Sequence, residues 1–511
     1  MSAEPKKPLK ATAFELAQGF FLWLDKRLHI SNLWEHTAGH PIPKSSASWF
    51  YVFGSATLLC FVLQIITGSL LAFVYVPSAS EAYDSLLYLT YEQDLGWYLR
   101  AMHYWGSNFM VGAMLLHMTQ VYLWGAYKYP REITWMTGVI LMVCTLGLAF
   151  SGQVLRWDED AYWGLGIGAA ILGRVPLIGE GLVNVMLGGP ILASETLSRF
   201  FSLHVFILPG TVLALLAIHL RMVLTKGINE YPKPGHLVRR ETYDKEYEAI
   251  IKNEGIPFAP HGIWKDLVAA AVVIGGILFC AAVWGPKGPT GPPYPAHIDS
   301  LPRPDVWFMW IFAVAALMPE YMETFGLLVV PPIVILILFV LPFFNNTGEK
   351  SWRRRPVAML TVILVWVAMG ILTYLGYASP WSPAMEAWSN APTPREKVVG
   401  RSPLQLQGLV VMQNMQCRNC HAIEGIGGHR GPDLAAVGTR MTRDQLVRQV
   451  VQGGGNMPAY GKNLSPYEVE AVVTFMVSLR PAGEAPARDS TFPAIPPKQE
   501  AAGTQKGHHE G

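Results

Sequence analysis

Charge is scarce in this chain. Lys, Arg, Asp and Glu make up 15% of its 511 residues and nearly cancel, 39 basic against 37 acidic. So even a balance says little about partners, since the information lies in where the charges fall, and nothing in the chain suggests nucleic-acid binding. Cysteine is sparse too. Of the five, Cys60, Cys144 and Cys280 fall inside apolar runs, where a small buried hydrophobe belongs, which argues against a disulfide framework. Only Cys417 and Cys420 stand in a polar segment.

Apolar residues are what the chain has in quantity, 51% of the total. Seven runs approach the roughly 20 residues that cross a bilayer: 50–76, 102–124, 133–152, 200–224, 267–284, 324–344 and 357–377. The expected fold class is therefore all-α, a polytopic membrane bundle followed by a small all-α soluble domain. Basic residues decide its orientation. Lys6, Lys7, Lys10, Lys26, Arg27, Lys128, Arg131, Arg239, Arg240 and Arg353 to Arg355 fall on one side, which is then cytoplasmic. The acidic loop with Glu81, Asp84, Glu92 and Asp94, the segment "WDED" and everything after the seventh run fall on the other. A bacterial cytoplasmic membrane with the amino terminus inside and the carboxy terminus outside is expected. The first 44 residues are too long and charged for a cleavable signal, so the first span would be the insertion signal.

Two runs, 165–178 and 306–318, are too short to span and suggest helices at the outer surface; 13–30 reads as an interfacial helix on the inner one. The polar stretch 231–261 divides a four-helix block, 1–230, from a three-helix block, 231–377. A proline-rich linker, 378–397, leads to a soluble domain, 398–480, and a tail, 481–511, of disordered composition.

Four histidines lie inside the spans: His103 and His117 on the second, His204 and His219 on the fourth. Histidine in a membrane is expensive and functional by default. Fourteen residues of helix rise about 21 Å and stop about 40° short of whole turns; fifteen rise about 22 Å and overshoot by about 60°. Each pair thus lies near one face, and two bis-histidine b haems would stack across the bilayer, His103 with His204 and His117 with His219. Gly54 and Gly68 on the first span and Gly138 and Gly152 on the third repeat the fourteen-residue step. Glycine there would give a porphyrin room.

The stretch "NMQCRNCHAIEG", 414–425, carries the spacing of covalent c-type haem attachment: Cys417 and Cys420 would form the thioethers and His421 would ligate iron. A zinc site would need a fourth ligand, for which His429 is available.

The pieces "GWYLRAMHYWGSNFMVGAMLLH", "YPREITWMTGV", "TLSRFFSLHVFILP" and "PAHIDSLPRPDVWF" resemble the cytochrome b family of quinol:cytochrome c oxidoreductases, the bc1 and b6f complexes. The fifteen-residue step from His204 to His219 is similar to cytochrome b6, and the boundary at 231–261 falls where b6 and subunit IV are separate chains. The resemblance implies quinol oxidation at the outer face, two b haems, a quinone site at the inner face and proton translocation. It also implies a homodimer, a separate Rieske iron-sulfur protein and a c-type cytochrome acceptor. The family's "PEWY" motif appears as Pro304, Asp305, Val306 and Trp307, so Asp305 would take the quinol proton; as a plain residue it is equally an N-cap for the short helix that follows. Lys226, with Arg221 beside it, is the candidate for the inner quinone, lipid-headgroup contact being the alternative. Val52 stands where b6 proteins carry the cysteine of an extra haem, so no third membrane haem is expected. Where the family reads "GYxLPWG" or "GYSLPWD", this chain has "GQVLRWD", putting Gln153 and Arg156 beside the outer quinol pocket.

The segments "CRNCH", "GPDL" and "GGNMPAY" are similar to class I cytochrome c. The resemblance implies Met457 as the second iron ligand, with Met412, Met415, Met441 and Met476 left to the core, and the Pro432 carbonyl orienting His421. A rival reading keeps the haems but makes the chain a non-catalytic electron conduit for another enzyme.

Overall fold

The computed structural model describes residues 13–189, 192–293, 303–378, 393–415, 417–428, 431–453, 457, 460–461 and 463–488. Expectations placed on Lys6, Lys7, Lys10, His429, most of the linker and the end of the tail lie outside them. Described residues 13–378 and 393–488 belong to two compact units.

The first unit is a helical bundle. Its long helices are α1 (Phe53–Ala72), α2 (Gly96–Leu123), α3 (Glu132–Val154), α4 (Ser194–Lys226), α5 (Ile263–Trp284), α6 (Met322–Phe344) and α7 (Pro356–Ala378). Six of them are long and apolar enough to cross a membrane, and the chain is an integral membrane protein. The exception is α2. Its 28 residues suffice in length, but Arg100, Ser107, Asn108, Gln120 and two histidines keep its mean hydropathy low. The bundle accommodates this polarity by enclosing α2: it packs against α1, α3, α5 and α7, and Arg100 and Gln120 are buried. Seven spans were expected; among the described residues six helices have both the length and the hydropathy of a span, and α2 has the length alone.

The short runs fold as the helices Glu159–Gly173 and Val306–Leu317, and the amphipathic segment as Ala13–Leu28. The polar stretch after α4 is not an open linker. Gly255–Pro257 pairs antiparallel with Pro41–Pro43, and Leu237–Val238 with Gly348–Glu349. Beneath these strands Lys350 Nζ meets Glu230 Oε1 at 2.6 Å, and the Tyr243 hydroxyl donates to Glu230 Oε2 at 2.7 Å. Burial lowers the Lys350 ammonium to about 8. Removing one partner of so buried a pair would leave an uncompensated charge, which is why sequence separated by 120 positions stays locked.

In the second unit Pro403–Asn414 and Pro466–Ser478 cross so closely that a side chain on Gly408 would meet the Ala471 carbonyl at 2.0 Å. Ser402 and Ser465 start these helices with reciprocal capping boxes. The core holds Val411, Met412, Leu446, Val473, Phe475 and Leu479.

Candidate functional site

All four intramembrane histidines turn inward at two levels. At one, the rings of His103 and His204 stand with centroids 6.4 Å apart at 78°. Metal–imidazole bonds of about 2 Å on each side, plus two ring radii, give a separation of about that size. The level also has a cavity of 270 Å³ lined by both rings, Gly68 and Gly152. At the other level His117, His219, Gly54 and Gly138 line a cavity of 650 Å³.

The fifteen-residue step on α4 is brought into register by a π-turn at Leu203–Ile207. It absorbs the extra residue, so the overshoot of about 60° disappears. Its cause is local: Pro209 has no N–H for the Val205 carbonyl, and an α-turn there would leave that acceptor stranded. A second π-turn, Phe325–Val329, precedes Pro331 and Pro332 in the same way.

The glycines do more specific work than making general room. Each faces one histidine ring: Gly68 faces His103, Gly54 His117, Gly152 His204 and Gly138 His219. The residue before three of them carries a hydroxyl that meets the same ring. Thr67 Oγ1 lies 2.9 Å from His103 Nδ1, Thr137 Oγ1 3.0 Å from His219 Nδ1, and Ser151 Oγ 3.0 Å from His204 Nδ1. Each hydroxyl donates to the carbonyl one turn back, at 2.7 to 3.0 Å. Its remaining lone pair accepts from Nδ1–H, which fixes the tautomer and leaves Nε2 free to ligate. Gly54 follows Phe53, and His117 has no such hydroxyl. The Ser/Thr–Gly doublet was visible in the sequence and carried this information unread.

A graded outcome follows from the clearances. A Cβ at Gly152 would lie 2.8 Å from His204 Cε1 and one at Gly68 3.0 Å from His103 Cε1, against 3.3 Å at Gly54 and 3.5 Å at Gly138. Gly152→Ala and Gly68→Ala are expected to displace a ligand ring and lower b-haem content, while Gly138→Ala retains it. Reduced-minus-oxidised difference spectra per chain check the order.

Asp305 stands at the N-cap position of Val306–Leu317, yet its side chain accepts no capping hydrogen bond. Instead Lys287 Nζ donates to Oδ1 at 2.9 Å. Gln153, one departure from the family pattern, accepts from the Asp305 backbone N–H at 3.3 Å. Arg156, the other, lines the same cavity as Asp305, Lys287, His103 and His204. Its Nη2 faces Asp158 at 3.3 Å and Asp160 at 3.8 Å, while Nε and Nη1 are buried without a protein partner. Those orphan donors, beside two rings that present free Nε2 atoms, fit a cofactor bearing anionic carboxylates, as haem does.

Lys226 does not reach the cavity at the other level. It is exposed, as is Arg221, and its carbonyl accepts from Arg131 at 3.3 Å. Lys265 and Asp266 line the cavity instead, Asp266 accepting from Ser55 Oγ at 2.9 Å. They sit at the start of α5, far along the chain from the histidine helices.

In the second unit Nδ1 of His421 lies 2.8 Å from the Pro432 carbonyl, as the resemblance implied. Burial keeps the His421 ring below the ordinary histidine value, hence neutral and able to ligate, and pushes the Cys417 thiol up to about 12. A side chain on Gly431 would strike His421 Cε1 at 2.4 Å. Met457 packs partly buried on the core, its sulfur 3.4 Å from Gln449 Nε2. Among the described residues no group of three His, Cys, Asp or Glu side chains could hold a metal ion, and His429 lies outside them. The oriented His421 ring beside Cys417 and Cys420 fits covalent haem.

Residues 38–227 match the family model described as Cytochrome b/b6/petB, 294–391 that of Cytochrome b(C-terminal)/b6/petD, and 405–476 that of Cytochrome C oxidase, cbb3-type, subunit III. The chain is similar to cytochrome b of Allochromatium vinosum, 32% identical over 371 residues, covering 69% of this chain and 87% of that protein. It is similar to cytochrome b6 of a Synechococcus species, 39% identical over 207 residues (40% and 96%), and of Heliobacterium modesticaldum, 40% over 209 residues (41% and 98%). A solved structure described as a hyperthermophilic respiratory Complex III aligns with a TM-score of 0.57 at 28% identity, covering 70% of this chain and 91% of that one.

Proposed function

Because the chain belongs to the cytochrome b family and carries a cytochrome c domain, we propose that it is the subunit that oxidises quinol in a bc-type quinol:cytochrome c oxidoreductase. The observation that carries this reading is the opening of Asp305 onto the cavity of the His103/His204 pair. A carboxylate there can accept a quinol hydroxyl proton and pass it outwards, a transfer that general-base positioning favours. His103, His204, His117 and His219 would hold two b haems, Cys417, Cys420, His421 and Met457 one c haem, and Lys265 with Asp266 would meet quinone at the far level. Haem, when bound, supplies one-electron transfer at a potential tuned by its ligands.

In this reading the Asp305 end faces outwards in a bacterial cytoplasmic membrane, as the basic loops suggest. A Rieske iron-sulfur protein is a separate partner, because the chain lacks the cysteine and histidine boxes of such a cluster. A c-type cytochrome accepts the electrons, and the complex is a homodimer. The test of the cofactor set is a pyridine haemochrome spectrum before and after acid-acetone extraction. Two extractable b haems and one retained c haem per chain are expected; fewer than two b haems in intact protein would end the four-histidine assignment. Wild-type complexes that never reduce b haem with quinol would leave the electron conduit as the better account.

A further inference from the structure

We propose that Lys287 is a positioning residue of the quinol site, holding the Asp305 carboxylate aimed at the cavity until a quinol hydroxyl takes its place. The inference rests on the functional reading above and deepens it. Lys287 lies in the loop after α5, in "GPKGPTGPP", eighteen residues before Asp305. Both side chains are mostly buried, 26% and 18% exposed, so their attraction is weakly screened.

The lysine is itself held. Arg100 Nη2 donates to the Lys287 carbonyl and, at 2.7 Å, to that of Gly288, while Arg100 Nη1 donates to Thr90 Oγ1 at 2.7 Å. Arg100 is one turn before His103, so the loop is bolted to the helix that presents a candidate ligand. Lys287 Nζ also reaches the Arg303 carbonyl at 3.5 Å. Its ammonium therefore has a fixed position rather than a free swing.

Other charged and titratable groups surround Asp305 without replacing this contact. Arg156 lines the cavity but faces Asp158 and Asp160. Arg303 donates to the Tyr377 carbonyl at 2.9 Å. Tyr104 on α2 lines the same cavity. Among the described residues Lys287 is the cation within hydrogen-bonding distance of that carboxylate. A proton acceptor must be aimed at the proton it takes, and this contact fixes where Oδ1 points.

The test is the kcat and KM of quinol-dependent b-haem reduction in the assembled complex. With Lys287→Met the carboxylate loses the contact that aims it, so kcat is expected to fall about tenfold with KM nearly unchanged. Lys287→Gln, one bond shorter, is expected to lower it likewise, whereas Lys287→Arg keeps a donor at that reach and restores most of the rate. Should Lys287→Met lose its haem spectrum, the glutamine variant decides. A neutral variant whose kcat equals that of an active wild type overturns the role of Lys287 alone. A wild type without quinol-dependent reduction overturns the functional reading and this one with it.

Discussion

Asp305→Asn is expected to slow quinol-dependent reduction of the b haems by about 10²- to 10⁴-fold, the range that a positioned proton acceptor contributes. The substitution keeps the shape of the side chain and the backbone N–H that Gln153 receives. It removes only the capacity to hold a proton, together with the charge that faces Lys287. The alternative role predicts something different. Asn caps helices about as well as Asp, and Asp305 makes no side-chain capping bond in any case, so a structural role predicts a nearly unchanged rate. Asp305→Glu should retain most of the activity, since it restores the carboxylate with one extra methylene. The rates are meaningful where the b-haem spectrum of each variant is intact. An asparagine variant within about twofold of wild type would remove Asp305 from the reaction.

The features that the sequence revealed most directly are those with a period. Histidines fourteen and fifteen residues apart, and glycines fourteen apart on the neighbouring helices, declare both levels, because a helix turns recurrence into a shared face. The features that stayed hidden depend on contacts between distant segments. Nothing in "TLSRFFSLHVFILPG" announces a π-turn except Pro209, whose effect on register shows only when His204 is seen opposite His103. The pairing of Lys287 with Asp305 crosses a loop whose length carries no periodic signal. Lys226 drew attention as the cation nearest the end of the fourth span, but the chain beyond it turns away to pair Gly255–Pro257 with Pro41–Pro43. The return brings Lys265 and Asp266 to the cavity. Low hydropathy in α2 is the same lesson in reverse: its polar residues weaken the spanning signal because they serve the interior.

Removing one imidazole from each level in turn should give two unequal phenotypes. His204→Leu is expected to reduce b haem from two to one per chain, since Ser151 loses the ring it orients and His103 is left as a lone ligand. His219→Leu should cost one haem in the same way, leaving Thr137 without its partner. Haem counting alone cannot tell the two apart, but quinol-dependent reduction can. If quinol is oxidised beside Asp305, the haem kept by His219→Leu is the one whose cavity Asp305 lines, and it should still be reduced. The haem kept by His204→Leu lies about 21 Å further along the helix, and its reduction from that site should fall to background. Reversed asymmetry, with reduction surviving in His204→Leu and lost in His219→Leu, would place oxidation at the Lys265 and Asp266 level and end the assignment to Asp305. Equal loss in both would show that neither haem is bound without the other, and the Asp305 variants would then carry the decision.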